Sequence, residues 1–254
     1  PKLSLDYGYM SKREDDVLPI LFAKEAKTKL PASAMVEAKG PTTHAVKFLI
    51  AVIKELGFKK MVLMSDNEPA IKALKDRVIA ECKDVELIPR ESPEGDHQAN
   101  GDAENAVREG KRQVRAIKMA LEQKLGGVLP TNHRLLTWIP WFAANLQKWT
   151  KIGKDGRTPE MRVTGRAWKK PMLQFGEKLH FKPVSTEPRK STMEPKMLEG
   201  RFLGYNPRTG ALVAMTKNGV ERAISFNRQT PEERWTTGDL AELKGLPWDL
   251  KEQG

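Results

Sequence analysis

A short, mostly apolar run, Lys60–Ser65 (KMVLMS), sits between two stretches of helical apolar spacing and constrains this chain more than any other feature. A run that brief and that apolar reads as a strand buried on both faces. Before it, residues 42–56 place Ala45, Phe48, Leu49, Val52, Ile53 and Leu56 on one side of a helix closed by Gly57. After it, residues 68–82 put Ile71, Leu74, Val78 and Ile79 on one side of a second helix. Residues 2–9, 17–27 and 34–37 read as strands upstream, and 85–88 as a strand downstream. Strands, helix, strand, helix, strand is the order of an α/β layered fold.

Residues 89–100 (PRESPEGDHQAN) read as a loop, with two prolines, a glycine and many polar groups. A long helix is expected over Gly101–Leu125, ended by Gly126-Gly127, and a second over residues 133–149. The aromatic stripe of that second helix (Trp138, Trp141, Phe142, Trp149) is most simply core packing. Residues 151–171 are rich in Lys, Arg, Gly and Pro and read as a connector. Short strand-like runs follow at 178–181, 201–205, 211–215 and 221–225, the last three separated by Pro207-Arg208-Thr209-Gly210 and Asn218-Gly219. Strands at this spacing suggest a small β-barrel or a curled sheet. The tail from Pro231 is weakly patterned, with Trp235 and Trp248 expected to pack back. The expected organisation is an α/β core over 1–150, a connector over 151–172, a β-rich module over 173–235 and a tail over 236–254.

The chain carries 44 Lys+Arg against 33 Asp+Glu, a net charge of +11. A polyanionic partner is the direct reading, with an incidentally basic protein as the alternative. The single cysteine, Cys82, excludes a disulfide framework or a Cys-rich zinc site within these residues, and its apolar neighbours suggest a buried thiol. No apolar run approaches the roughly 20 residues of a membrane span, so no membrane partner is expected. No signal peptide is visible. The sequence enters a strand almost at Pro1, without a methionine, and is expected to be a piece of a longer polypeptide.

Three acids stand out by their setting. Asp6 lies in the first strand (LSLDYGY), Asp66 ends the buried strand (MVLMSDN), and Glu104 falls near the start of the long helix (NGDAEN). A lone buried carboxylate is costly, so an acid at the end of an apolar strand calls for a partner. Three carboxylates drawn together by a sheet and a helix would repel unless cations neutralised them. An oxygen-only donor set suits Mg²⁺ or Mn²⁺, and a two-ion site would stabilise both the attacking and the leaving oxygen of a phosphoryl displacement. Each acid alone has a structural alternative. Asp66 would serve as a helix cap, Glu104 would favour the positive end of its helix, and Asp6 would be solvated near a chain end.

The order strand-Asp, strand-SDNEPA, polar loop and NGDAEN resembles the D,D,E core of retroviral and long-terminal-repeat retrotransposon integrases. Between Asp66 and Glu104 lie 37 residues, close to the family spacing, and Asn100-Gly101 and Asn105 also look like the family pattern. RTPEMRVTGR followed by LQFGEKLHF resembles the connector of copia-type elements, and RFLGYNPRTGALV their C-terminal β module. The resemblance implies an RNase H-like fold, a mixed five-stranded sheet flanked by helices, followed by a small SH3-like module. It implies Asp6, Asp66 and Glu104 as catalytic metal ligands for two Mg²⁺ or Mn²⁺ ions. The implied activity is DNA 3′-end processing and strand transfer in the integration of a retrotransposon. A homo-oligomer acting on element ends and target DNA in the nucleus is implied too. Two features depart from the family: its His/His/Cys/Cys zinc module is absent from these residues, and the loop SPEGDHQAN differs from the commoner version. A catalytically decayed DNA-binding remnant and an RNase H-like nuclease with another substrate are the alternatives.

Counted at about 100° per residue from Glu104, the residues Arg108, Lys111, Arg115 and Lys118 all fall within roughly 40° of it. Ala103, Val107, Val114, Leu121 and Leu125 gather to one side as the core face. A basic strip extending from the third acid suits phosphates near a scissile bond, with a solvated helix face as the plain alternative. Lys111 matches a family position that contacts DNA ends, and Asn100 is a further candidate. Residues 165–235 hold 14 Lys+Arg and 7 Asp+Glu, a net +7, so the β-rich part is expected to offer a sequence-independent DNA platform. Its candidates are Arg166, Lys169, Lys170, Arg189, Lys190 and Arg201.

Overall fold

In the computed structural model, which describes residues 1–10, 18–92, 101–184 and 196–249, the chain forms two compact units. The first comprises 1–115 with 143–170, the second 116–142 with 171–254.

The first unit is built on a five-stranded sheet of β1 (Lys2–Gly8), β2 (Ile20–Glu25), β3 (Pro31–Met35), β4 (Lys60–Ser65) and β5 (Glu86–Glu91), in the order β3-β2-β1-β4-β5. β1 pairs antiparallel with β2 and parallel with β4, while β4 pairs parallel with β5. This is a mixed sheet with helices, as expected for an RNase H-like core. Period-two alternation divides β1 cleanly. Leu3, Leu5 and Tyr7 join one buried core, while Ser4, Asp6 and Gly8 turn to the opposite face.

The core beneath the first face is closed by α1 (Thr43–Leu56) and α2 (Pro69–Glu81). α1 starts where the Thr42 hydroxyl accepts a hydrogen bond from the Ala45 amide at 3.3 Å, and ends at Gly57, whose φ of 69° is the left-handed turn a glycine adopts freely. Its stripe Ala45, Leu49, Val52, Ile53 and Leu56 packs on Leu5, Leu63 and Ile71. Pro69 opens α2, where a missing amide hydrogen is harmless. Cys82 is buried in this core, as expected.

The opposite face of the sheet is met by α3 (Gly101–Leu125). A Cβ added at Gly110 would stand 2.3 Å from the Phe22 ring, so the helix rides on β2 at a glycine. α4 (Ile139–Thr150) begins one residue before Pro140 rather than at 133, because residues Arg134–Trp138 form a 3₁₀ turn. A proline is at ease only in a helix's first turn. Residues 151–171 are more than a connector: α5 (Pro159–Thr164) forms within them, capped by Thr158 and ended by Gly165 at φ 73°.

In the second unit β6 (Lys178–Pro183), β7 (Leu198–Tyr205), β8 (Leu212–Thr216) and β9 (Gly219–Arg228) close into a small four-stranded barrel. Its aromatic packing joins Phe142 to Phe175 at 5.3 Å and to Phe202 at 6.0 Å between ring centres. Trp138 and Phe142 are buried here and Trp149 is buried in the first unit, as core packing requires, while Trp141 is partly exposed. Among the described residues no helix is long and apolar enough to cross a membrane.

Candidate functional site

Asp6 occupies the middle of β1, opposite Phe22 of β2, on the sheet face that α3 covers. The parallel register of β1 on β4 runs Lys2 with Val62, Leu3 with Leu63 and Ser4 with Met64. Carried two residues further, the same offset sets Asp66, one residue past β4, beside Asp6. Their proximity is felt electrostatically. Burial, then the Asp66 charge, pushes the Asp6 carboxyl up from 3.8 to about 6, with Glu68 adding to the rise and Lys111 opposing it.

Asp66 does not take the helix-cap role that the sequence left open. Its Oδ1 accepts from the Glu68 amide at a long 3.4 Å, and the cap position of α2 is Glu68 itself, with no side-chain cap bond. Glu68 is held to Lys39 at 2.8 Å, and Lys39 also lies over the rings of Tyr7 and Tyr9. The Tyr7 hydroxyl accepts from the Gly40 amide at 3.0 Å, fixing the loop beside this acidic corner.

Glu104 does not form a three-acid group with the two aspartates among the described residues. It lies exposed in the first turn of α3, where the other acid, Asp102, pairs with Lys2 at 3.1 Å. The α3 charge that acts on Asp6 is that of Lys111, which packs against Gly8. Glu104 shares its helical face but lies seven residues, about 10 Å, toward the N-terminus. Among the described residues, no three Asp, Glu, His or Cys side chains stand close enough to share a metal ion. The carboxylates of Asp6 and Asp66 fit a divalent cation by their donor chemistry, and its positive charge would offset the burial and the Asp66 charge that together raise Asp6. The geometry as it stands does not assemble a three-acid, two-ion site.

The basic strip divides. Arg108 and Arg115 are exposed, with the Arg108 guanidinium bonded to the Asn105 side chain. Lys111 is half-buried, its stem against Gly8. Lys118 lies in the second unit and pairs with Glu122 at 2.5 Å. Asn100, Arg189 and Lys190 lie outside the described residues, while Arg166, Lys169 and Lys170 are exposed.

Arg201 requires correction. It is fully buried, donating to the Gly176 carbonyl at 2.9 Å and to both Asp239 carboxylate oxygens, at 2.9 and 2.6 Å, and also to the Thr236 carbonyl. A guanidinium so engaged holds the second unit together and is not presented to a phosphate. The strand-like run 201–205 was legible, but only the distant Asp239 explains which way its arginine turns.

No family model and no curated protein matches the chain. Solved structures similar to it include the catalytic core domain of BIV integrase. That match has 18% identity, covers 65% of this chain and 93% of that one, and has a TM-score of 0.44. Another is the simian T-cell lymphotropic virus intasome in complex with PP2A regulatory subunit B56 gamma. It has 10% identity, covers 90% of this chain and 78% of that one, with a TM-score of 0.46. Neither likeness bears on which residues act.

Proposed function

We propose that this chain is a divalent-metal-dependent polynucleotidyl transferase of the integrase type, processing and joining DNA ends during integration of a retrotransposon. The observation that carries this reading is that Asp6 on β1 and Asp66, one residue past β4, are brought side by side by the offset of two adjacent parallel strands, with the Asp66 charge acting on Asp6. Strand-borne carboxylates at that position are a rigid oxygen donor set, and Mg²⁺ or Mn²⁺ bound there would supply Lewis-acid stabilisation of a phosphoryl oxygen. Glu104 is the third ligand of this reading and would help to hold a second ion. Arg108, Lys111 and Arg115 would position the phosphodiester along α3. The small barrel, read as SH3-like, would add a sequence-independent DNA surface. Assembly as a homo-oligomer and action in the nucleus belong to the same reading.

The opposing reading is a DNA-binding remnant without turnover, and the separation of Glu104 from the aspartate pair favours it. A Mn²⁺ titration combined with a DNA nicking and joining assay decides. Saturable Mn²⁺ binding lost in Asp66→Asn, with cutting lost in Glu104→Gln, is the expected outcome. Activity that survives Glu104→Gln overturns the three-acid assignment, and DNA binding with no saturable metal site establishes the remnant. Cutting without joining identifies an RNase H-like nuclease.

A further inference from the structure

We propose that the first unit carries a second, preformed phosphate-binding groove between the β2–β3 turn and the segment after α4, and that it holds the backbone of a DNA duplex. The inference rests on the DNA reading above and extends it to residues outside α3.

The groove has a volume of about 490 Å³ and is ringed by six cations against two carboxylates, Glu109 and Asp155. Three of the cations are committed to building it. Lys24 and Lys151 grip the same Glu109 carboxylate at 3.0 and 2.7 Å. Arg162 makes a two-pronged pair with Asp155 at 3.0 and 2.5 Å, and its remaining nitrogen donates to the Thr28 carbonyl at 3.0 Å. That last bond ties the two walls together. Gly153 permits it, because a Cβ there would overlap the Arg162 guanidinium. The other wall is knitted by the buried Glu25, which accepts from the amides of Lys27 and Thr28 and from the Thr28 hydroxyl.

The remaining three cations, Lys27, Lys29 and Lys154, are exposed, and none has a carboxylate partner among the described residues. Lys29 is the telling one. Its φ of 60° makes it the one non-glycine residue with a left-handed backbone among the described residues. Such a position suits Gly or Asn and is uncommon for a lysine, and outliers of this kind cluster at functional sites. Glycine would make the same turn without strain, so what lysine adds there is a charge at the groove's rim. Uncommitted ammoniums on two separate loops, facing one groove with fixed walls, match a row of phosphates better than a single anion. Ile152, 70% exposed on the same rim, offers an apolar contact to a sugar edge.

The test measures binding of the full chain to a random-sequence DNA duplex by fluorescence anisotropy over a salt series, with EDTA present so that neither metal nor catalysis contributes. The triple variant Lys27→Ala/Lys29→Gly/Lys154→Ala is expected to weaken binding and to reduce the slope of log affinity against log salt by about 2–3, at ~0.9 per phosphate contact. Lys29→Gly alone is expected to weaken binding while leaving the melting temperature unchanged or higher, since glycine suits that φ. That separates a lost contact from a lost fold. An unchanged slope in the triple variant overturns the groove. If Arg108→Ala/Arg115→Ala weakens binding in the same assay, the DNA reading survives that failure. A wild-type chain that binds no duplex overturns both. Inositol hexakisphosphate held by Lys27, Lys29 and Lys154 without competition from duplex overturns DNA as the occupant.

Discussion

Lys111 lies across Gly8, so close that a Cβ at Gly8 would stand 2.9 Å from Lys111 Cε, and its ammonium draws on the Asp6 carboxyl. The contact sets the part of α3 that reaches β1. It also brings a positive charge toward the pair of aspartates that a divalent ion would otherwise neutralise. Lys111 thus belongs both to the metal question and to the DNA question, and with opposite sign.

Replacing Lys111 with Gln separates the two roles. Removing a cation that competes with Mn²⁺ for the Asp6 field is expected to tighten Mn²⁺ binding several-fold, corresponding to about 1 kcal/mol for a partly exposed charge. Duplex affinity is expected to fall in the same variant, with the salt slope reduced by ~1. Titration calorimetry with Mn²⁺ and anisotropy with DNA check the two halves. Equal weakening of both would mean that Lys111 only supports the fold.

The Asp6 carboxyl makes a pH-dependent prediction whose sign is opposite to that of a salt-bridged acid. Its value of about 6 in the folded chain lies above the ordinary 3.8. Below pH 4 both states keep the proton, and the site carries no penalty. Between pH 4 and 6 the unfolded chain ionises first, so the folded state loses stability, and above pH 6 the penalty is complete. A shift of this size corresponds to about 3 kcal/mol, and partial exposure brings the expectation down to about 1–2 kcal/mol. Asp6→Asn is therefore expected to be more stable than wild type by that amount at pH 7.5, with most of the difference gone at pH 4. Urea denaturation at the two values checks it, and saturating Mn²⁺ should stabilise only the wild type.

Much of the fold was legible because apolar spacing reports burial directly. Lys60–Ser65 and Gly101–Leu125 match the expected strand and helix at both ends. α5 was missed because its signals, Thr158-Pro159 at the start and Gly165 at the end, bracket only six residues, too few for a periodic stripe. At the site, Asp6 and Asp66 were legible because each ends or interrupts an apolar strand, and parallel pairing then aligns them. The separation of Glu104 from them was not legible. Helical phase puts Glu104 and Lys111 on one face, and only the tertiary contact at Gly8 shows that Lys111 packs against β1. The groove cations were hidden for a similar reason. Lys27 fell at the end of an expected strand and Lys154 in the expected connector, and only the Arg162 bond to Thr28 brings their loops together.

Arg201 provides a test confined to the second unit. Its guanidinium is 0% exposed, and removing it strands the Asp239 carboxylate together with the Gly176 and Thr236 carbonyls. Breaking a buried pair from one side typically costs about 3–5 kcal/mol. Arg201→Met is expected to lower the unfolding free energy of the second unit by that amount, as measured by urea denaturation. Where the variant stays folded, its DNA salt slope should match wild type, and a slope reduced by ~1 would restore Arg201 as a phosphate contact.

Lys148 is the corresponding test in the first unit. Only 2% exposed, it stands between Glu55 of α1, which it contacts closely, and Glu160 of α5 at 3.1 Å. Glu160 Oε2 is buried and makes no well-directed hydrogen bond, so the lysine charge is what holds it. Lys148→Met leaves two buried or half-buried acids facing each other and is expected to destabilise the unit by about 3–4 kcal/mol at neutral pH. Adding Glu55→Gln and Glu160→Gln to Lys148→Met removes the stranded charges and should recover most of the stability, which denaturation of the three-site variant measures. α5 carries Arg162, so the single variant should also loosen the wall that Arg162 ties to Thr28 and weaken DNA binding, while the three-site variant restores it. Recovery of stability without recovery of binding would show that Lys148 acts on the groove by its own charge rather than by seating α5.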